Sequence, residues 1–320
     1  LRFASAVSTQ RDPARAVEET AGRIREGLGG AKPDLAFLFP TPHHGEDPEA
    51  LLALARTALG TDTLLGASGA GVLADGKEVE DAPALAVMAG ILGGSARAHL
   101  FHVENEALEG GVDWPQRLKV QASEAPGFVL LPDPFSLNGD ALLAGLDEAY
   151  PGCAKVGGMA SGGGGPGSHV LFCGEDVHRQ GAVGLVLTGG VLLEPLVSQG
   201  CRPVGPRLVI TKGERNIVRE LAGRPALTVI REALQNLEGR DRELAALGLL
   251  IGRVVDEAKD EFHRGDFLIR GLVGADEASG AVAVGDLIRR GQTVQLQVRD
   301  AVTADEDLKA LLAHRGAEAG

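Results

Sequence analysis

Apolar residues along the first third of the chain switch between a strand-like and a helix-like period. Phe3 to Val7 is short and mixed and reads as a strand. Asp12-Pro13 supplies a helix N-cap and a first-turn proline. Val17, Ala21, Ile24 and Leu28 follow at helical spacing until Gly29-Gly30 stops the helix. Leu35 to Phe39, bounded by prolines, reads as a buried strand. Asp47-Pro48 then starts a second helix carrying Leu51, Leu52, Leu54, Ala55 and Leu59, closed by Gly60, and Thr63 to Gly66 is a further short strand. This strand–helix–strand–helix–strand order predicts a mostly parallel sheet with helical crossovers. Beyond it the rhythm turns to hairpins. Gly69-Ala70-Gly71, Val72-Leu73 and a turn at Asp75-Gly76 lead into the apolar run Ala84 to Ile91.

The chain then repeats itself. PDLAFLFPTP (Pro33 to Pro42) resembles PGFVLLPDPF (Pro126 to Phe135), and each is followed by a helix, Pro48 to Leu59 or Asp140 to Tyr150. Each helix leads to a strand entering a glycine-rich turn, LLGASGAG (Leu64 to Gly71) or KVGGMASGGGG (Lys155 to Gly165), and then to an apolar strand, Ala84 to Gly90 or Ala182 to Gly189. A duplication at this period predicts two similar α/β units, about residues 1–104 and 126–196. The last third has another texture. Leu208 to Thr211 and Ile217 to Leu221 flank a polar turn, Pro225 opens a helix, and glycine-punctuated strands follow to Val298. Thr303 with Glu306 reads as the capping box of a final helix. The expected fold class is therefore α/β with two domains: residues 1–196 as duplicated strand–helix–strand units with mixed sheet, and residues 197–320 as an α+β domain.

Few residues carry recognisable chemistry. Ser68, Gly69 and Gly71 lie in a turn whose glycines could admit an anion. A hairpin rather than a helix follows, so the turn suits close strand approach better than a nucleotide. His43 and His44 follow a strand. Neighbours in sequence cannot easily share one metal; pocket-lining donors at the open end of a parallel strand are the better reading of both, with His43 the expected contact. Asp133 occupies the matching loop of the second unit, and Ser161 the matching turn. Cys201 sits beside Arg202, which favours thiolate, yet no base accompanies it. No metal cluster and no cofactor fingerprint is legible, so neither a metal nor a cofactor is expected.

Composition narrows the classes further. A net charge of −13 without a basic block repels phosphate backbones, and aromatics at 3% leave little for bases to stack on, so nucleic acid is excluded as a partner. Cys153, Cys173 and Cys201 show no close pairing and read as reduced thiols of a cytoplasmic protein. No apolar run has the length of a membrane span, so no membrane insertion is expected. The first residue is Leu1 rather than Met, which reads as a trimmed or alternative start.

At Val197 to Leu234 the run VSQGCRPVGPRLVITKGERNIVRELAGRPALTVIREAL closely resembles the start of the C-terminal half of FIST domains. FASAVST, GASGAGVLADGKEVE and VGGMASGGG resemble the N-terminal half, and GDFLIRGLVGAD and GQTVQLQVRDAVTADEDL the later C-terminal region, in order over nearly the whole chain. The resemblance implies a FIST N-like followed by a FIST C-like domain, a sensory module of prokaryotic signalling that binds small ligands such as amino acids and passes its output to a separate signalling protein. A eukaryotic relative joined to an F-box recruits substrates for ubiquitination. Related domains continue past the final helix, whereas this sequence stops at AHRGAEAG, so truncation at the C-terminus is expected. The expected function is non-catalytic ligand sensing, with Thr9, His43, Ser68, Gly69, Gly71, Asp133, Ser161, Cys201, Arg202 and Arg270 as ligand contacts. A two-pronged arginine would suit a ligand carboxylate. The alternatives are a protein-interaction scaffold and a thiol-dependent enzyme using Cys201.

Overall fold

The computed structural model describes residues 1–259, 261–262 and 265–318. The chain forms two compact units, Leu1–Pro195 and Leu196–Gly320.

In the first unit the elements run β1 (Arg2–Ser8), α1 (Pro13–Gly27), β2 (Leu35–Pro40), α2 (Pro48–Leu59), β3 (Leu64–Ala67), β4 (Gly71–Ala74), β5 (Lys77–Glu80) and β6 (Leu85–Ile91). They continue with β7 (Arg97–Val103), α3 (Asn105–Glu109), α4 (Trp114–Leu118), β8 (Gly127–Pro132), α5 (Gly139–Ala149), β9 (Lys155–Gly157), β10 (Leu171–Cys173), β11 (Asp176–His178) and β12 (Ala182–Thr188). Both expected helix starts form as read. The Asp12 carboxylate accepts the Arg15 N–H at 2.9 Å, and the Asp47 carboxylate accepts the Ala50 N–H at 2.9 Å. Gly60 ends α2 at φ 72°, a conformation that costs glycine little.

The duplication is visible in the pairing. One sheet has the order β1-β6-β2-β3-β10-β11 and the other β7-β12-β8-β9. Their shared pattern is an antiparallel pair, a central antiparallel strand and one parallel neighbour: β2–β3 in the first sheet, β8–β9 in the second. The sheets are thus mixed and mostly antiparallel, which corrects the mostly parallel sheet read from the opening order. The apolar run of β6 slots between β1 and β2 and is antiparallel to both, a long-range insertion with no local signal. The β10–β11 hairpin belongs to the second repeat by sequence, yet it pairs onto the edge of the first repeat's sheet, with Leu171–Cys173 antiparallel to Leu65–Ala67.

Alternation then builds four layers. Ala36 and Leu38 pack with Leu51, Leu52 and Ile24 under α1 and α2. Leu35 and Phe37 point the other way, into a layer shared with Leu131, Val183 and Leu185 of the second sheet. The outer face of that second sheet, including Phe128 and Leu130, packs under Trp114, Leu142 and Tyr150 of the α4 and α5 region. Each fully buried Leu or Val in these layers stabilises the fold by roughly 1.5–3 kcal/mol. The order is helix, sheet, sheet, helix.

The second unit runs β13 (Cys201–Glu214), β14 (Ile217–Leu221), β15 (Arg224–Pro225), α6 (Ala226–Gln235), α7 (Gly239–Leu247), β16 (Leu249–Val254), β17 (Phe267–Asp276), β18 (Ala281–Val284), β19 (Thr293–Arg299) and α8 (Ala301–Glu318). Among the described residues all pairings are antiparallel, in the order β13-β19-β16-β17-β18-β14-β15, and β14 also pairs with β13, so the sheet closes on itself. Val229, Ile230 and Ala233 of α6 join Ile210, Ile251, Val282 and Leu296 in its core. The final helix begins two residues before the expected capping box. The Asp300 side chain, rather than that of Thr303, accepts the Val302 N–H at 3.1 Å, and Thr303 Oγ1 itself donates to Asp300. Among the described residues, no helix is long and apolar enough to cross a membrane.

Gly66 and Gly157 hold equivalent places in the two parallel pairs. A Cβ on Gly66 would lie 2.1 Å from the Leu38 carbonyl oxygen, and one on Gly157 1.8 Å from that of Leu130. Gly66→Ala should therefore force β2 and β3 apart and destabilise the first unit by about 1–3 kcal/mol, read as a lower urea midpoint at unchanged m-value. A loss below about 0.5 kcal/mol would show that the contact relaxes freely.

Candidate functional site: paired crevices at the strand ends

Each parallel pair ends in a crevice roofed by the start of the following helix. Backbone bonds match the two site by site. Gly69 N–H donates to the Pro40 carbonyl at 3.0 Å and Ala160 N–H to that of Pro132 at 2.9 Å; Thr41 N–H donates to Ala84 and Asp133 N–H to Gly181. Gly69 thus corresponds to Ala160, and Thr41 to Asp133, which makes Ser68 the counterpart of Met159.

In the second repeat the crevice is open and has a volume of about 470 Å³. Leu130, Leu142, Leu143, Val156 and Met159 form its apolar wall. Gly157 and Gly158 offer bare backbone, while Asn138 and Asp140 stand at the first turn of α5. Asn138 caps that helix by accepting the Ala141 N–H at 3.1 Å. The Lys155 stem also lines the crevice, but its ammonium lies 2.6 Å from the Asp147 carboxylate and donates to the Tyr150 and Cys153 carbonyls, each at 3.0 Å.

In the first repeat the equivalent space is nearly closed, to about 90 Å³. The glycine-rich segment of the second repeat covers it. Ser161 N–H donates to the Ser68 carbonyl at 2.9 Å, Ala70 N–H donates to Ser161 Oγ at 3.0 Å, and a Cβ on Gly162 would meet Pro42 at 2.7 Å. Ser68 and Ser161 are thus brought together. Thr41 anchors the floor, donating to the Ala82 carbonyl and accepting the Ala84 N–H. His44 lines this cavity, 2% exposed, and neither of its ring nitrogens has a protein partner.

Asp133 is fully buried and its oxygens are already engaged. One lies 2.7 Å from His169 Nδ1, the other accepts the Ser136 hydroxyl at 2.6 Å, and Ser136 Oγ in turn accepts the Gly181 N–H. Phe135 stacks on the His169 ring at 5.5 Å. Asp133 thus holds β8 to the segment before β10, and the expectation that it faces a ligand is corrected. Its partner His169 lies 36 residues on, beyond the reach of any local pattern.

The remaining candidates divide. His43 is exposed with Nδ1 3.3 Å from the Thr41 hydroxyl, so the buried, cavity-lining histidine is its neighbour His44. Thr9 is exposed just past β1 and lines neither crevice; Gly71 is exposed and pairs with Glu80 in the β4–β5 hairpin. Cys201, Arg202 and Arg270 belong to the second unit. Cys201 is buried and burial pushes its thiol above the ordinary value, with Arg299 offsetting only part, which opposes its use as a nucleophile. Arg202 is matched internally, to Asp241 at 2.6 Å and Asp300 at 3.3 Å; Arg270 lies 3.8 Å from Asp286, which also takes Arg253 at 3.1 Å. The Arg202 guanidinium is therefore engaged within the unit, whereas the Arg270 side chain is 38% exposed. Among the described residues, no group of three His, Cys, Asp or Glu is placed to hold a metal ion.

These features define an α/β protein whose hollows sit at strand ends and are lined by apolar groups, glycine backbone and isolated polar side chains. The chain belongs to the FIST family: a FIST N domain matches residues 34–224 and a FIST C domain residues 226–319. FIST domains are sensory domains of signal transduction. The family junction falls beside β15, well past the structural boundary at Pro195, so the matched N domain includes β13 and β14 of the closed sheet. An uncharacterised protein of Mycobacterium tuberculosis (strain H37Rv) is 38% identical over 319 residues, covering 99% of this chain and 82% of its own length. An uncharacterised Mycobacterium bovis protein is 36% identical over 312 residues, covering 97% and 79%. Among solved structures, a cyanuric acid hydrolase from A. caulinodans aligns with 59% of this chain and 71% of its own at 10% identity and a TM-score of 0.30.

Two histidines make acid stability a direct readout of this unit. Burial lowers His44 below 6.5, helped by His43 and opposed by Asp12. Burial also lowers His178, helped by His102, which stacks on it at 3.7 Å, and opposed by Asp176 and Glu104. The unfolded chain takes up these protons first, so the stability they carry is present above pH 6.5 and is lost as the pH falls below it. Urea midpoints should therefore drop between pH 7.5 and pH 5, and less steeply in His44→Phe; equal slopes would rule out His44 as a source.

Proposed function

We propose that this chain is a non-catalytic sensory domain that holds a small metabolite, an amino acid or a close relative, in the crevice of the second repeat. The observation that carries the reading is the crevice itself. Its volume of about 470 Å³ falls within the range of small-molecule sites. Its chemistry is two-ended. The first turn of α5 presents backbone amides, the natural receptor for a carboxylate, with Asp140 beside them for an amino group. Leu142, Leu143 and Met159 offer an apolar wall for a side chain. Carboxylate recognition in this crevice thus falls to the helix start, since neither Arg202 nor Arg270 lines it. The crevice pairs no nucleophile with a base, and its lysine is held by Asp147.

Thermal-shift screening of the twenty amino acids and simple derivatives, followed by calorimetry, tests this. A ligand at a hundred times its Kd stabilises by about 2.7 kcal/mol, a rise in Tm of roughly 5–10 °C for a unit of this size. Gly158→Leu fills the crevice from a position where a Cβ meets nothing within 4 Å, so it should fold with unchanged Tm and lose at least tenfold in affinity. If no compound raises Tm, or if Gly158→Leu binds as the parent does, the reading fails.

A further inference from the structure

We infer that the closed cavity of the first repeat is a second binding site, built for a small oxyanion of the size of a carboxylate or phosphate group. His44 is 2% exposed, both ring nitrogens are shielded from bulk water, and neither bonds to the protein. An imidazole buried in that state costs about 1–3 kcal/mol per unsatisfied group unless something occupies the adjoining space. The adjoining space exists, about 90 Å³, or about three waters of liquid volume at ~30 Å³ each.

The walls select charge. Arg179 of the second repeat lines the cavity and brings a guanidinium of which one nitrogen donates to the Gly167 carbonyl at 3.4 Å. Ser68 Oγ accepts the Val170 N–H at 3.2 Å, which leaves its hydroxyl proton for an occupant. Pro48, the first residue of α2, places the positive end of that helix on the same space. Among the described residues no carboxylate lines the cavity, although the protein as a whole carries a net charge of −13. A cation, an imidazole N–H, a hydroxyl and a helix start stand among the apolar walls of Pro40, Pro42, Val170 and Phe172, and acceptors are the scarce polar partner. A small oxyanion supplies them.

The lid comes from the other half of the duplication. Gly162 and Ser168 close the cavity, in the segment that begins at the open crevice with Gly157, Gly158 and Met159. The two sites are therefore chemically distinct products of one repeated motif: an open one walled by apolar side chains, and a nearly closed one that adds a buried imidazole, a hydroxyl and an arginine to its apolar walls.

Histidine-selective NMR of the intact chain, titrated with sodium phosphate, sodium acetate and sodium chloride at matched ionic strength, tests the assignment. Phosphate or acetate should move the His44 ring signals saturably, and which of the two does so identifies the tetrahedral or the planar class. Arg179→Ala changes an exposed side chain and should weaken the response at least tenfold. His44→Phe removes the unpaired nitrogens, keeps or raises Tm, and should abolish the anion-dependent rise in Tm. No movement of the His44 signals with either oxyanion, an equal response to chloride, or a response unchanged in Arg179→Ala overturns the proposal. Gly158→Leu should leave the anion response intact, so this site and the metabolite crevice stand or fall separately.

Discussion

Backbone pairing of Leu171–Cys173 with Leu65–Ala67 is the constraint on which the first unit depends. Without it no strand of the second repeat would pair with the first repeat's sheet, and each repeat would keep its own glycine-rich turn and its own crevice. With it, the second repeat's long connection must run from the end of β9 across the end of β3 to reach its place beside the first repeat's sheet. Ser161 and Gly162 are laid over Ser68 and Pro42 by that path. The same motif therefore ends as an open hollow in one copy and a nearly filled one in the other. The asymmetry follows from connection geometry; the strand order is common to both copies.

Polar side chains fasten this arrangement where apolar packing stops. Asp133 is a hub for His169 and Ser136, and Ser136 returns a bond to the start of β12. Thr41 does the corresponding work in the first repeat with a single hydroxyl bonded to Ala82 and Ala84. A buried carboxylate with its oxygens matched costs little and specifies position, whereas one left bare would be expensive. In the second unit, Asp300 plays a comparable part, receiving Arg202 and Arg240 while capping α8. Conspicuous charged residues of this sequence are thus spent on holding elements together.

Much of the architecture was legible because its causes are local. Asp12-Pro13 and Asp47-Pro48 are complete helix-start signals within four residues, and both helices begin there. The repeated strand–helix–turn blocks appear as matching sheet orders. The parallel-sheet expectation failed because adjacency is not local: nothing near Ala84–Ile91 says that it inserts between strands separated by a helix. α7 was missed because Gly239–Leu247 buries no residue and so shows no apolar stripe. The site was legible as a location and less so as a set of side chains. His43 and His44 differ only in which way one short turn points them. Asp241 and Asp300, the partners of Arg202, lie 39 and 98 residues away, and His169, the ring on Asp133, lies 36 away, where no spacing rule reaches. The apolar wall of the open crevice carried no signal, since Leu142 and Leu143 look like any helix face.

The borrowed hairpin also sets an order of events during synthesis. A nascent chain that has emerged as far as Val103 already contains β1, β2, β3 and β6, yet β3 presents a bare backbone edge until Leu171 leaves the ribosome. Such an edge is a template for pairing with a neighbouring chain. Half-made molecules on a shared message are thus the most vulnerable to entanglement, and a gene cut between the repeats would encode that vulnerable state permanently.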